Sequence, residues 1–180
     1  MELLAVISII SVLTTMAVPA LVSSQRASAL THAGNQLADL ASLARQTAMS
    51  KNAITALIVS TKPPGSQTVR QAALVMQYDG VANAWAPLGG WVRLSESVIA
   101  ADNFTDNTAV TRLALPDLRV DGAPLSPSGY TALVFYPDGH MVNGTSSREL
   151  AVSPIAGNTQ ANYYKLVFNS DTSAYHITRP

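Results

Sequence analysis

The chain has 180 residues, its 11 basic and 11 acidic side chains cancel to a formal net charge of zero, and it contains no cysteine. Because neither sign of charge clusters, the composition argues against the basic face that nucleic-acid binding requires, and the lack of cysteine excludes disulfides, thiolate metal sites and cysteine nucleophiles. The length suffices for one domain with a sizeable core behind an N-terminal segment.

The first 25 residues form an apolar segment with an acid at its start. Glu2 is followed by no charged residue until Arg26. As a helix rising about 1.5 Å per residue, the uncharged stretch is about 35 Å long, enough to cross the core of a bilayer. It lacks the basic start of a secretory signal, so we interpret residues 1–25 as a retained transmembrane helix. A carboxylate at the end of such a helix is costly in lipid, and we expect Glu2 to have a partner.

Residues 26–52 continue this helix as an amphipathic segment. Its apolar residues recur at steps of three and four, which is typical of a helix with one buried face. These residues are Leu30, Ala33, Leu37, Leu40, Ala44 and Ala48. We expect them to dock the helix on a globular domain, and we expect the helix to end near Lys51, closed by Asn52. Pro19 removes a backbone donor and clashes with the preceding turn, so the sequence predicts a kink or local melting there.

From Ala53 onward the sequence is typical of short strands separated by turns. Strands are predicted at residues 53–60, 69–78, 110–115, 130–136, 149–152, 163–168 and 175–178. Between them, residues 85–94 hold Trp85, Trp91, Val92 and Leu94 around Gly89-Gly90. Residues 101–108 and 116–129 are predicted as connections, and Asp79-Gly80 and Pro137-Asp-Gly139 as turns. One helix followed by many short strands predicts an α+β fold, in which a long N-terminal helix packs on an antiparallel β-sheet. Residues 53–180 would form the β-rich globular domain.

The polar side chains follow no catalytic pattern. The chain has neither a Gly-x-Ser-x-Gly elbow nor a His-Glu-x-x-His pair, which would position a nucleophile or a zinc ion. Its three histidines are His32, His140 and His176. His140 follows Asp138-Gly139, and because aspartate and glycine favour turns, we interpret this segment as a turn and not as a catalytic pair. The sequence therefore predicts no catalytic residue.

Metal and ligand sites are not predicted either. Asp102, Asn103 and Asp106 could offer oxygens to calcium, but the twelve-residue spacing of a calcium loop is missing, which favours a solvated loop. Six aromatic residues are candidates for a binding surface, although most are interpreted as core or strand-face residues. They are Trp85, Trp91, Tyr130, Tyr136, Tyr163 and Tyr164. We expect neither a metal nor a cofactor.

The start of the chain resembles the N-terminal segment of type IV pilins and type II secretion pseudopilins. Met1-Glu-Leu-Leu-Ala-Val-Ile-Ser-Ile-Ile-Ser-Val-Leu13, ending in Ala17-Val-Pro-Ala20, places Glu2 and Pro19 at the separation that the family shows. In that family a prepilin peptidase cuts the leader after a glycine, so that the mature chain begins with Phe-Thr-Leu. The same enzyme then methylates the new N-terminus. In this sequence neither the glycine nor Phe-Thr-Leu precedes Met1. The resemblance therefore implies the peptidase as a partner only if a leader lies upstream of Met1.

The second half of the helix narrows the resemblance. Ala38-Asp-Leu-Ala-Ser-Leu-Ala-Arg-Gln-Thr-Ala-Met-Ser-Lys-Asn52, running into Ile54-Thr-Ala-Leu-Ile-Val59, is similar to the H-type minor pseudopilins and to their pilus relatives of the FimT type. The late Val134-Phe-Tyr-Pro-Asp-Gly139 also fits them. The N-terminal half is similar to the D proteins of the Verru_Chthon pseudopilin cassette.

The resemblance implies a structural subunit and not an enzyme. Glu2 would pair with the terminal amine of a neighbouring subunit, and the apolar helices would form the core of a short secretion filament. The implied partners are other pseudopilins, an inner-membrane assembly platform, lipid, and a cytoplasmic ATPase that acts indirectly, with the globular domain in the periplasm of a bacterium. The first alternative is a minor pilus subunit for adhesion or DNA uptake, with the loops 101–108 or 116–129 meeting the ligand. The second is a membrane-anchored periplasmic enzyme or binding module, which a convergent polar pocket around His140 or His176 would favour.

Overall fold

The computed structural model describes residues 2–60, 72–95, 98–100, 118–120, 122–124, 130–141, 148–154, 163–169 and 174–179. Within the N-terminal helix, the side chains of residues 2, 4, 5 and 16–21 are not among those described. The helix α1 spans Glu2–Lys51. The strands are β1 Thr55–Ser60, β2 Ala72–Asp79, β3 Ala84–Pro87, β4 Val92–Arg93, β5 Val98–Ala100, β6 Arg119–Val120, β7 Ala123–Pro124, β8 Tyr130–Phe135, β9 Arg148–Pro154, β10 Tyr164–Phe168 and β11 Tyr175–Thr178.

The helix α1 ends where the sequence predicts. Its last residue is Lys51, and Asn52 adopts a left-handed conformation with a φ of 48°. Asparagine tolerates this conformation better than most residues, which lets the chain turn and lets Ala53 donate a backbone hydrogen bond to Ala48 O over 3.2 Å. The helix runs without interruption through Pro19, so no unwound turn occurs at that proline. A kink at Pro19 stays a prediction.

The strands form two larger antiparallel sheets and one small hairpin. The first sheet has the order β3-β2-β1-β8, with β4 also paired to β2, and the second has the order β11-β10-β9-β5. On the central strand β1, Leu57 lies opposite Val75 of β2 and Leu133 of β8. The strands β6 and β7 pair with each other. The predicted α+β fold, a long helix packed on antiparallel sheet, is confirmed.

The core lies on both faces of the first sheet. Side chains alternate across a strand, so Leu57 and Val59 of β1 join the cluster that contains the buried face of α1, whereas Ala56 and Ile58 join a cluster on the opposite face. That opposite cluster includes Val120 of the β6–β7 hairpin. Because both faces are covered, every residue of β1 and of β8 is buried. The helix also contacts β9 and β10, so it packs on the two sheets at once.

The segment 85–94 contributes two strands. The chain forms β3 and β4, separated by a bend at Leu88–Gly89 with Gly90 after it, and both strands pair with β2. Two adjacent glycines have no side chains to pack and weaken a strand at this point. The strands β5, β6 and β7 were not predicted, because two or three residues are too few to show an alternating pattern. The predicted strand 110–115 and the predicted loop 101–108 lie outside the described residues.

Candidate assembly and docking surfaces

The docking stripe of α1 lies against the β domain. Four of its six residues are fully buried in the core cluster, and two are partly buried and pack against that cluster. The fully buried residues are Ala33, Leu37, Ala44 and Ala48, and the partly buried ones are Leu30 and Leu40. The stripe is rich in alanine, whose small side chain lets the helix backbone approach the sheets closely. Burial of the larger leucine side chains supplies the apolar stabilisation, about 25 cal/mol per Å² removed from water.

Three polar contacts, which the sequence did not reveal, tie the same helix to the strands and turns. Thr55 Oγ1 of β1 donates to Ala44 O over 2.8 Å in a buried position. Arg45 Nε donates to Gly139 O over 3.0 Å, and Lys51 Nζ donates to Gln77 Oε1 over 3.2 Å at the surface. The buried bond from Thr55 satisfies a hydroxyl that would otherwise be costly to bury. Together the contacts fix the rotation of the C-terminal half of α1 about its axis.

A close contact joins α1 to β10 near the point where the helix leaves the domain. A Cβ added to Gly34 would lie 2.6 Å from Cδ2 of Tyr164 and closer still to Cγ and Cδ1 of that ring. The Tyr164 hydroxyl donates to Asn35 Oδ1 over 2.8 Å, and the guanidinium carbon of Arg179 lies 4.6 Å from the ring centroid. The glycine is therefore required by packing, in a position where glycine otherwise weakens a helix. A lone glycine within the helical pattern was the available sequence signal.

The N-terminal half of α1 is apolar and exposed. Large apolar side chains between 38 % and 72 % exposed lie along it, namely Leu3, Val6, Ile7, Ile9, Ile10, Val12, Leu13 and Val22. Hydroxyls in this half donate to the helix backbone: Ser11 Oγ donates to Ile7 O over 2.8 Å, Thr14 Oγ1 to Ile10 O, and Thr15 Oγ1 to Val12 O over 2.8 Å. A contiguous apolar surface of this kind marks an interaction site, and its internally bonded hydroxyls suit an environment without water.

Two of the predicted site residues in this half lie outside the described side chains. They are Glu2, predicted to pair with a neighbouring subunit, and Pro19, predicted to kink the helix. Within the described part of the chain, no helix meets the combination of length and hydropathy that a membrane crossing demands.

An open depression of about 420 Å³ lies next to the end of α1. Its lining consists of Asn52, Tyr136, Pro137, Asp138 and His140. The His140 ring contacts the Asp138 carboxylate, and the backbone N–H of His140 donates to Asp138 Oδ1 over 3.1 Å. Gly139 has a φ of 82° and donates to Tyr136 O over 2.8 Å. The predicted turn at Pro137-Asp-Gly139 is confirmed.

The described lining of this depression contains no serine, threonine or cysteine beside His140. The contact between His140 and Asp138 lies within the turn described above. His32 and His176 are exposed on α1 and β11. Among the described residues, no group of three or more histidine, aspartate or glutamate side chains could hold a metal ion. Asp102, Asn103 and Asp106 lie outside the described residues.

The six aromatic residues do not converge on one surface. Tyr164 is buried against α1, while Trp85 and Tyr130 are buried on the opposite face of the first sheet, and Trp91 packs against that second cluster. Tyr136 and Tyr163 are half-buried. Burial raises the pKa of Tyr130 above its usual value, because desolvation disfavours the charged phenolate. These residues therefore serve chiefly as core.

The architecture itself defines a class of protein. A long helix, whose first half is exposed and apolar and whose second half is docked on antiparallel sheet, is the architecture of a pilin-like subunit. The family model described as type II transport protein GspH matches residues 33–172, and the chain belongs to this family. The resemblance to the H-type minor pseudopilins is thereby confirmed, and the chain is a minor pseudopilin of a type II secretion system.

Comparison with solved structures supports the same fold. The chain is similar to the minor pseudopilin EpsH from the type 2 secretion system of Vibrio cholerae, with a TM-score of 0.51 and 9 % sequence identity. The similarity covers 84 % of this chain and 97 % of that one. No curated protein sequence matches the chain.

Proposed function

We propose that this minor pseudopilin acts by inserting its N-terminal helix into the core of a short secretion filament. The observation that carries the proposal is the contrast between the two halves of α1: residues such as Leu37 and Ala44 are fully buried in the domain, whereas Leu3 and Leu13 are 72 % and 61 % exposed. Burying apolar side chains of this size stabilises an assembly by about 1.5–3 kcal/mol each before the costs of association. The role is structural, and no chemical step is assigned to it.

The segments of the chain divide this work. Residues 1–25 form the part that lies in lipid and then enters the filament core, residues 26–52 dock the helix, and residues 53–180 form a domain on the periplasmic side of the inner membrane. Glu2 pairs with the terminal amine of the neighbouring subunit, because a carboxylate at the end of an apolar helix needs a cation in a medium that does not solvate it. This pairing would fix the axial position of each subunit.

The partners follow from this arrangement. They are other pseudopilins in a hetero-oligomeric filament, lipid, an inner-membrane assembly platform, and a prepilin peptidase if a leader precedes the chain. We further propose that the chain is related to the D proteins of the Verru_Chthon cassette, because the sequence of its N-terminal half is similar to theirs. Genes for several other prepilin-like proteins beside this one would support a secretion cassette, whereas pilus assembly genes there would favour the alternative of a pilus subunit for adhesion or DNA uptake.

The test compares two substitutions on the same helix. Ile10→Asn places an amide on the exposed N-terminal half, and Leu43→Asn places the same amide on the docked half, where Leu43 is 49 % exposed. We expect Ile10→Asn to abolish co-purification of the full chain with the neighbouring pseudopilins, while Leu43→Asn and the wild type co-purify. Far-UV circular dichroism should show the same fold for all three proteins. Equal co-purification of both variants would contradict the proposal.

A further inference from the structure

We propose that Gly34, Asn35, Tyr164 and Arg179 form an exit clamp that fixes the direction in which the apolar half of α1 leaves the globular domain. The proposal rests on the function proposed above, because the direction of the free half matters for a subunit that assembles through it. Of the four residues, the sequence singled out Tyr164 alone, as one of six aromatic candidates for a binding surface that are mostly interpreted as core or strand-face residues, and it predicted no role for Gly34, Asn35 or Arg179. The four residues come from three separate parts of the chain. Gly34 and Asn35 lie in α1, Tyr164 begins β10, and Arg179 follows β11.

The position of the clamp along the helix supports this role. Described side chains of α1 are exposed up to Ser28, and those of residues 29–31 are partly buried. Ala33 and Gly34 are the first two buried residues along α1. The clamp therefore lies within the first two turns of contact between the helix and the domain. Contacts farther along, such as that of Thr55 with Ala44, hold the helix near its other end.

The chemistry of the clamp combines a tight apolar fit with directional bonds. The Tyr164 ring lies so close to Gly34 that a Cβ would overlap it, and Tyr164 is among the largest fully buried side chains. Its hydroxyl reaches past the buried face to the exposed Asn35, to which it donates over 2.8 Å. Arg179 lies over the ring at 4.6 Å, a distance at which a cation and an aromatic face attract each other. The ring is thus held from the helix and from the C-terminal end of the sheet.

The hydroxyl contact supplies what apolar packing alone does not. Apolar contacts are non-directional, so a helix held by alanine side chains could rock on the sheet with little change in buried area. A hydrogen bond requires its donor and acceptor within a narrow range of distance and angle, and the bond from Tyr164 to Asn35 therefore restricts that rocking. We expect the restriction to act at the end of the domain where a small rotation moves the free half of α1 the most.

Pulsed electron paramagnetic resonance on the isolated full chain in detergent tests this proposal without any assembly partner. The chain has no cysteine, so the variants Ser24→Cys and Val81→Cys accept two spin labels without background. Both positions are exposed, Val81 at 99 %. Ser24 lies between Pro19 and the domain, so a bend of the helix at Pro19 would not change the measured distance. A second labelled pair, Gln46→Cys with Val81→Cys, reports on the docked half as a control.

We expect a narrow distance distribution between positions 24 and 81 in the parent protein. Tyr164→Phe and Asn35→Ala should each broaden it, Asn35→Asp should keep it narrow because its carboxylate still accepts the bond, and the control pair should not change. Equal distributions in the parent, Tyr164→Phe and Asn35→Ala would overturn the proposal, and so would equal broadening of the control pair, which would indicate general loosening. Since the readout needs no filament, failure here is distinguishable from failure of the proposed function.

Discussion

Replacing Gly34 by alanine should destabilise the protein, although the same change stabilises most helices. Glycine within a helix costs about 0.8–1.0 kcal/mol relative to alanine, so helix propensity alone predicts that Gly34→Ala stabilises the folded state by about 1 kcal/mol. In this structure the added Cβ would lie 2.6 Å from Cδ2 of Tyr164, and Cγ and Cδ1 would be closer still. The ring or the helix must therefore move.

The cost of that movement decides whether Gly34→Ala raises or lowers the free energy of unfolding. Inserting a methyl group into a well-packed core costs about 1–3 kcal/mol, and losing the hydrogen bond from Tyr164 to Asn35 adds about 1 kcal/mol. After the gain in helix propensity is subtracted, we expect Gly34→Ala to lower the free energy of unfolding by about 1–3 kcal/mol. For a chain of this size, that loss corresponds to a fall in Tm of about 2–4 °C per kcal/mol.

Urea denaturation of the full chain in detergent, followed by far-UV circular dichroism, measures this difference. The matched control places Gly34→Ala in a Tyr164→Ala background, where the ring that the Cβ would meet is gone. There the substitution should stabilise the protein by about 1 kcal/mol, the value expected from helix propensity. Stabilisation by Gly34→Ala in the presence of Tyr164 would refute the packing described at this contact.

Three further predictions concern the core and its polar contacts. Leu37→Ala should lower the free energy of unfolding by about 2–5 kcal/mol, because Leu37 is fully buried. Leu43→Ala on the same helix should change it by about 0.5 kcal/mol, because Leu43 is 49 % exposed, and urea titration of both variants checks this difference. Thr55→Val should cost about 1 kcal/mol through loss of the buried hydrogen bond to Ala44 O, and Thr55→Ser, which keeps a hydroxyl, should restore part of it in the same titration. Burial raises the pKa of Tyr130, so the unfolded chain releases this proton first as the pH rises above about 10; stability should fall with rising pH from there, and thermal melts of Tyr130→Phe should show a smaller alkaline loss.

The sequence predicts the parts of the fold that depend on local pattern. The steps of three and four between Leu30 and Ala48 identify the face of α1 that the structure buries, and Asn52 marks its end. The turn at Pro137-Asp-Gly139 is predictable for the same reason, since its residues have backbone preferences of their own.

Contacts between distant residues could not be predicted in this way. Asn35 and Tyr164 are 129 residues apart in the chain, and no periodicity relates them. The strands β6 and β7, of two residues each, are stabilised by pairing with each other and by packing of Val120, which again depends on the assembled sheet. The exit clamp therefore depends on tertiary contacts that the sequence does not show, whereas the periodicity of apolar residues in α1 predicts the docking stripe.

The central claim, that this minor pseudopilin assembles through the start of its N-terminal helix, is tested most directly at Glu2. The measurement is co-purification of the full chain with the pseudopilins encoded beside it, for Glu2→Gln and for the matched control Asp39→Asn, whose carboxylate lies exposed on the docked half of α1. We predict that Glu2→Gln folds normally by circular dichroism but no longer co-purifies, while Asp39→Asn co-purifies as the wild type does. Normal co-purification of Glu2→Gln would contradict the account.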